Sequence, residues 1–309
     1  MISPVAVPEF VRQRATASGA AGQRWLDGLP EIVADLAGRW DLDLGDPFPG
    51  GTASLVLAAH DGSGRECVLK IAMTLDPEDA ELFRRSVLVH ELAAGEGCAE
   101  LLRYDAGTPS MLLERLGPNL HDLEVPVAGV LEAIVATLRS FWRPVADDCD
   151  LPTEADQAEW LAGHITATWE RLGHPCPQEV IDRAFVYCEE RASAFDPSAS
   201  VLVHGDAHGW NTLSAGGRAF KFVDPEGLRS TRAHDLSVPM REYNEPLLAG
   251  DTPRLVRRRA EQLAAWAEID PEPVWQWGFI ERVSTGLANL RDFEGDAGAV
   301  FLEVAARCL

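Results

Sequence analysis

The chain has 309 residues, 46% of them hydrophobic, and a formal net charge of −22. This length accommodates one large or two moderate domains with a full core, and no apolar run approaches the roughly 20 residues that cross a bilayer. The strong negative charge argues against nucleic acid and anionic membranes as partners, because both bind basic surfaces.

The cysteines and the amino-terminal residues predict a cytoplasmic protein. Six cysteines are scattered without a CxxC pair, which indicates reduced thiols rather than a disulfide or zinc framework. Residues 1–8 lack the basic start and the apolar stretch of a signal peptide. Nothing in the sequence decides the oligomeric state.

Helix and strand patterns alternate along the first third of the chain and become mainly helical afterwards. Asp76, which is followed by a proline and two acids, marks a strong helix start. The predicted elements of the first region are helices within 5–40, strands at 54–59 and 66–72, a helix to about 94, and strands near 100–104 and 110–116. Beyond it we predict helices at 127–143, 153–172 and 177–195, short strands between 201 and 226, and helices from 233 to 309.

The segment 201–227 contains the most informative pattern. Asp206 and Asn211 are five residues apart in a polar turn, and Asp224 ends a later apolar strand. Phosphoryl transfer needs one carboxylate to orient and deprotonate a hydroxyl, and amide and carboxylate oxygens to hold Mg²⁺. The alternative is an ordinary hairpin in which Asp and Asn serve as turn residues.

The pattern H-G-D-x-H-x-x-N at 204–211, followed by a hydrophobic-Asp-Pro tripeptide, resembles the aminoglycoside phosphotransferase-like kinases. The form Asp-Pro-Glu-Gly at 224–227 is most similar to the streptomycin and hydroxyurea phosphotransferase branch. The resemblance implies an α+β, bilobal protein-kinase-like fold. Residues 1–116 would form a small β-rich nucleotide-binding lobe with N-terminal helices, and residues 117–309 a larger, mostly helical lobe for catalysis and substrate binding.

The same resemblance implies ATP and Mg²⁺ as cofactors. Asp206 would be the catalytic residue that accepts the hydroxyl proton, and Asn211 and Asp224 would be the metal ligands. His204 is expected to hold the loop by hydrogen bonds, and Asp235 resembles the downstream acid that braces it.

Lys70 is one of only two lysines among 27 basic residues. It lies inside an apolar strand, where a buried ammonium needs a cleft or a carboxylate, unless the strand is an edge and the side chain faces water. The resemblance implies that Lys70 contacts the α- and β-phosphates. We predict Glu91 as its partner, although an alignment with the family pattern places Ser86 at that position.

Two further segments are candidates for nucleotide contacts. The turn Gly50, Gly51 to Ser54 precedes a strand, where backbone N–H groups can cradle phosphates, although glycine pairs before strands are common. Glu114 and Leu116 resemble the hinge that meets the adenine edge, and Leu116 is equally compatible with a core position.

The predicted function is ATP-dependent phosphorylation of a hydroxyl of a small molecule, a cationic antibiotic of the aminoglycoside type, by a resistance kinase. The acids of residues 117–309, among them Glu242, Glu245, Glu281 and the stretch 291–296, would attract the cation, although general acidity also serves solubility. The alternatives are a metabolic kinase of the same fold for choline, homoserine or a sugar, and a catalytically silent nucleotide-binding module.

Overall fold

A computed structural model describes residues 5–49, 51, 53–146, 148–293 and 295–309. The chain divides into two compact units, Met1–Gly117 and Pro118–Leu309. In the described ranges, no helix is both long enough and apolar enough to cross a membrane.

The first unit is an antiparallel five-stranded sheet with helices, and its strand order is β1-β2-β3-β5-β4. Its elements are α1 (Glu9–Ala17), α2 (Gly19–Trp40), β1 (Leu42–Pro47), β2 (Ser54–Asp61), β3 (Glu66–Ala72), α3 (Pro77–Ala93), β4 (Leu101–Asp105) and β5 (Ser110–Glu114). The predicted helices and strands of this region are confirmed, and β1 is an additional strand that we did not predict.

The α-helices of this unit bury apolar side chains on the sheet. The buried stripe of α2, which includes Leu29 and Leu36, packs with Leu69 and Ile71 of β3 in one core. A second cluster joins α3 to β5 through Phe83 and Val87 with Met111 and Leu113. Strand residues alternate between the two faces, so the odd and even positions of β3 enter different environments.

The second unit is mainly helical. Its elements are α4 (Val127–Phe141), α5 (Glu154–Arg171), α6 (Gln178–Ser193), β6 (Val201–Val203), β7 (Thr212–Ser214), β8 (Phe220–Phe222), β9 (Leu228–Ser230), α7 (Arg232–Asp235), α8 (Ser237–Arg241), α9 (Asn244–Leu248), α10 (Thr252–Ala267), α11 (Pro271–Asp292) and α12 (Ala299–Arg307). The predicted helices α4 to α6 are confirmed.

Helix α11 is the centre of this unit. It is buried on several sides, with Trp277 and Ile280 fully enclosed, and it contacts α5, α6, α7, α8, α10 and α12. A helix that is apolar around most of its circumference belongs in a core. The four short strands lie beside this helical body and carry the predicted motif.

Candidate active site

The predicted motif forms a loop between two antiparallel strand pairs. β6 pairs with β9, β7 pairs with β8, and residues 204–211 connect β6 to β7. At the far end of this loop, the Leu120 amide donates to the Thr212 carbonyl at 2.7 Å. Backbone pairing therefore holds both ends of the loop.

Asp235 fixes the backbone where the loop begins. Its buried carboxylate accepts hydrogen bonds from the amides of His204 at 2.9 Å and Gly205 at 2.8 Å, and from the indole N–H of Trp142 at 2.7 Å. Burial raises the pKa of Asp235 to about 6, although all three donors favour the charged form. These contacts agree with the bracing role that the resemblance implied.

His204 is a structural residue of the loop, as expected. Its Nε2 lies 3.0 Å from the Val223 carbonyl, and its Nδ1 accepts the Asp206 amide at 3.2 Å. The carbonyl can only accept, so Nε2 carries the proton. Burial lowers the pKa of His204 to about 4, which keeps the ring neutral near pH 7.

The Asp206 carboxylate is held on both oxygens. Oδ1 accepts from Arg241 Nη2 at 3.0 Å, and Oδ2 lies 3.1 Å from His208 Nε2 and 3.2 Å from Asn211 Nδ2. Burial alone would raise the pKa of Asp206, but His208, Arg241 and His204 outweigh it and hold that pKa below its usual value. Asp206 is therefore ionised at neutral pH, as a proton acceptor must be.

Arg241 contacts Asp206 directly, and we did not predict it. Its guanidinium also donates to Glu281 Oε2 at 2.9 Å, and its Nε lies 3.7 Å from Glu242 Oε1. Glu281 is thus buried against a cation of the protein itself, which argues against its predicted place in the lining of a substrate site. No local pattern marks Arg241, because it lies 35 positions from Asp206.

Glu226 adds a second carboxylate beside the loop. An extra Cβ on Gly205, whose φ is +88°, would lie 3.0 Å from the Glu226 Cβ, so this close approach requires glycine. The Glu226 side chain keeps an exposed surface. Desolvation by the surrounding protein, and then the charges of Asp206 and Glu281, raise the pKa of Glu226. A cation bound beside it would relieve this repulsion.

Asn211 and Asp224 flank the β7–β8 hairpin. The Val223 amide donates to the Asn211 carbonyl at 2.9 Å, which places Asp224 one residue beyond this pairing. Asp224 is exposed and adopts a left-handed backbone with φ +58°, a conformation that carboxamide and carboxyl residues tolerate better than most. Asn211 uses its Nδ2 on Asp206, which leaves its Oδ1 as the atom available to a cation.

In the first unit, Lys70 and the glycine turn are near one another. Lys70 lies directly across from Val56, so both side chains share a sheet face. A Cβ on Gly51, which has φ +105°, would lie 3.8 Å from Val56 and 3.5 Å from the Ser54 carbonyl. Gly50 lies outside the described residues, and Ser54 is buried at the start of β2.

The positions of the other predicted nucleotide contacts of this unit give less support to a role in nucleotide binding. Glu91 is exposed and lines a cavity of about 660 Å³ beside the edge strand β4, two strands away from β3, which does not favour a pair with Lys70. Glu114 accepts the Glu100 amide at 2.8 Å, and Leu116 is buried. The Glu91 pairing and the hinge roles stay predictions.

The family model for aminoglycoside/hydroxyurea antibiotic resistance kinases matches residues 39–292. The chain belongs to this family. It is 27% identical to a streptomycin 6-kinase of Streptomyces glaucescens over 98% of this chain and 97% of that protein. It is 29% identical to a hydroxyurea phosphotransferase of Kitasatospora aureofaciens over 74% of this chain and 65% of that protein.

Solved structures confirm the fold of this antibiotic resistance kinase. An aminoglycoside phosphotransferase in complex with ADP and hygromycin B matches with a TM-score of 0.57 at 16% identity, over 89% of this chain and 95% of that one. A choline kinase of Cryptosporidium parvum matches with a TM-score of 0.56 at 9% identity, over 90% and 94%. These structures confirm the predicted bilobal protein-kinase-like fold. The family model and the kinase relatives confirm the assignment as a small-molecule phosphotransferase.

Proposed function

We propose that this kinase transfers the γ-phosphoryl group of ATP to a hydroxyl of a cationic, aminoglycoside-type antibiotic, and that streptomycin is the first acceptor to test. The observation that carries the proposal is the Asp206 carboxylate, which is ionised and held on both oxygens, in contact with Asn211. The streptomycin 6-kinase relatives support the acceptor class. Because the reaction consumes ATP, we place it in the cytoplasm.

Asp206 is the proposed proton acceptor. Its carboxylate would accept a hydrogen bond from the attacking hydroxyl, orient that oxygen towards the phosphorus, and take up the proton as the new bond forms. The contacts from Arg241 and Asn211 would keep the carboxylate in one orientation and so reduce the entropy lost on reaching the reactive geometry.

Asn211 and Asp224 are the proposed Mg²⁺ ligands, and their donor set fits the ion. One carboxylate and one amide oxygen, completed by phosphate oxygens and water, are typical ligands of Mg²⁺. In the part of the chain that the structure describes, no group of three or more His, Cys, Asp or Glu side chains could hold a metal ion by itself. Bound Mg²⁺ would neutralise charge on the β- and γ-phosphates.

Nucleotide binding is proposed for residues of the first unit. Lys70 would contact the α- and β-phosphates as a compact ammonium, and the backbone of Gly50, Gly51 and Ser54 would cover phosphate oxygens. Glu114 and Leu116 would lie at the adenine, where backbone groups rather than side chains provide the pairing. Glu91 is retained only as the predicted partner of Lys70.

The acceptor is proposed to be cationic because the predicted substrate-binding lobe has more acidic than basic side chains. Glu226 is the best placed of these acids, since it lies against Gly205 of the loop and its side chain remains exposed. Glu245 is exposed too, whereas Asp292 pairs with Arg291 at 2.6 Å and Glu294 lies outside the described residues. Screening of such contacts by salt should raise the KM of the acceptor more than that of ATP.

A coupled assay of ADP release across acceptors tests the proposal. Streptomycin, hydroxyurea, choline, homoserine and a neutral sugar would each be added to the enzyme with ATP and Mg²⁺, and the phosphorylated product identified by mass spectrometry. We expect release that depends on streptomycin. Preference for choline, homoserine or the sugar would favour a metabolic kinase, and nucleotide binding without turnover of any acceptor would favour a silent module.

The metal assignment has its own test. Asn211→Ala and Asp224→Ala should each raise the Mg²⁺ concentration needed for half-maximal activity and lower turnover, and Asp251→Ala, an exposed helix cap, serves as the control. A Mg²⁺ titration that is unchanged in both variants would rule out these two ligands.

A further inference from the structure

We propose that Arg241 is a positioning residue for phosphoryl transfer, with Glu281 as its anchor. The inference rests on the proposed function, because it concerns how Asp206 is held. The Arg241 guanidinium bridges two carboxylates, with Nη2 on Asp206 at 3.0 Å and Nη1 on Glu281 at 2.9 Å. The forked geometry of a guanidinium serves this arrangement, because it directs separate N–H groups to two acceptors at once.

The pair is shielded from water, which distinguishes it from an ordinary surface ion pair. The side chains of Arg241 and Glu281 are only 13% and 10% exposed, whereas an exposed pair such as Arg307 with Glu303 leaves about half of each side chain in solvent. Burial works against the charge of Arg241, but Glu281 and Asp206 outweigh it and raise the pKa of the guanidinium. Arg241 therefore stays charged beside Asp206.

The backbone that carries Arg241 is held by two further buried arginines. Arg282 donates to the carbonyls of Met240 and Arg241 and to the Asn244 side chain. Arg259 donates to the carbonyls of residues 240, 242 and 243. Burial lowers the pKa of Arg282 to about 9 and of Arg259 to about 10. Their hydrogen bonds to this backbone are therefore made despite the cost of desolvating both guanidinium groups.

Close packing against α11 further restricts the backbone of residues 240–243. A Cβ on Gly278 of α11 would lie 2.7 Å from the Met240 Cβ, so only glycine admits such close contact. Tyr243 continues the turn with φ +55°. The Cα of Arg241 is thus fixed on α11, the helix that also carries Glu281, and the guanidinium has a defined path to Asp206. A chain of positioned groups therefore runs from the core to the proposed base.

The test separates positioning from simple structural support through a double-mutant cycle. The full-length enzyme and the variants Asp206→Asn, Arg241→Met, Arg241→Lys and Asp206→Asn/Arg241→Met would be compared for kcat and for both KM values with ATP and streptomycin, or with the acceptor that the panel identifies. Arg241→Met/Glu281→Gln removes both charges, so that neither remains buried alone. Arg307→Met is the control, because its ion pair is exposed.

We expect Arg241→Met to lower kcat about 10- to 100-fold, as for the loss of a partner that orients a metal ligand, with little change in the KM for ATP. Arg241→Lys should recover part of the loss, since an ammonium keeps the charge but not the bridge. In the Asp206→Asn background, Arg241→Met should cost little more, because residues that act as a unit are not additive.

Two results would overturn the inference alone: wild-type kcat in folded Arg241→Met or in Arg241→Met/Glu281→Gln, or full multiplication of the Asp206 and Arg241 effects. Thermal unfolding of each variant identifies those that fold. By contrast, full activity of Asp206→Asn would overturn the proposed role of Asp206, and turnover of no acceptor by the wild-type enzyme would overturn the proposed function. Either result would overturn this inference as well.

Discussion

Two buried networks hold the loop 204–211, and they differ in what they fix. In the Asp235 network, one carboxylate accepts hydrogen bonds from the backbone amides of His204 and Gly205 and from an indole N–H. In the Arg241 network, one guanidinium forms ion pairs with the carboxylates of Asp206 and Glu281. The first fixes the path of the main chain, and the second fixes the orientation of one side chain.

This difference predicts different consequences of damage. A carboxylate that satisfies buried donors contributes to folding, because each donor left without a partner costs free energy. A cation that orients a reactive carboxylate contributes to the rate, because orientation matters most in the transition state. Loss of Asp235 should therefore act on stability and rate together. Loss of Arg241 together with Glu281, which leaves neither charge buried alone, should act mainly on rate.

The largest effect is expected at Asp206, which the Arg241 network orients and which follows directly after the two residues that Asp235 binds. Asp206→Asn keeps the size of the side chain and removes the proton acceptor, so kcat should fall by about 10²- to 10⁴-fold with ATP affinity little changed. Steady-state kinetics and nucleotide titration measure the two quantities. Near-full activity of Asp206→Asn would mean that another residue accepts the proton, and the Arg241 network would then not orient the reactive carboxylate.

Asp235→Ala should be the most destabilising of the substitutions considered. It leaves the amides of His204 and Gly205 and the indole of Trp142 without their acceptor, at about 1–3 kcal/mol for each buried donor. We expect urea unfolding to show a loss of about 3 kcal/mol or more, together with a lower kcat. Asp251→Ala removes an exposed helix cap and is the matched control. Unchanged stability of Asp235→Ala would refute the backbone role.

Much of the helical architecture could be predicted from sequence because local signals mark it. Thr153 and Asp156 form the capping box that starts α5, and Asp76 caps α3 as predicted. Strand β1 escaped prediction because Leu42–Pro47 carries two aspartates, a glycine and a proline, residues that strands disfavour. Tertiary pairing with β2 overrides that preference.

In the candidate site too, contacts within one loop could be predicted from sequence, whereas contacts between distant elements could not. Asp206 and Asn211 could be predicted to lie together because they are five residues apart in one loop, and the structure joins them. Arg241 could not, since its contact with Asp206 depends on how α8 packs against α11. Trp142 reaches Asp235 across 93 positions, and no local pattern carries such information. Pairs between distant elements, like that proposed for Lys70 and Glu91, are subject to the same difficulty.

His234, next to Asp235, should make the second unit sensitive to acid. Its ring is buried against Trp277, and burial lowers its pKa to about 4 from an ordinary 6.5. Below pH 6.5 the unfolded chain gains a proton that the folded chain excludes, so stability falls as pH drops from 6.5 towards 4, by up to about 3 kcal/mol from this group.

Urea unfolding of His234→Phe across that pH range measures the contribution of His234. The variant should lose less stability than the wild type between pH 6.5 and 4, whereas His60→Phe, at an exposed strand position, should follow the wild type. Parallel pH profiles for His234→Phe and the wild type would show that His234 can be protonated within the fold.

The smallest effect is expected for Trp142→Phe. This substitution tests whether the Asp235 network supports only the backbone of the loop. The substitution keeps an aromatic ring under Arg232 but removes one of two donors on Asp235 Oδ2, whose other donor is the His204 amide. One hydrogen bond to a charged acceptor contributes about 1.5–3 kcal/mol, and water that replaces it should reduce the loss to about 1 kcal/mol. Because the backbone amides keep their acceptor, kcat should stay near the wild-type value. A fall in kcat as large as that of Arg241→Met, at unchanged stability, would mean that the Asp235 network also controls the reactive side chain, and the division between backbone and side-chain support would be wrong.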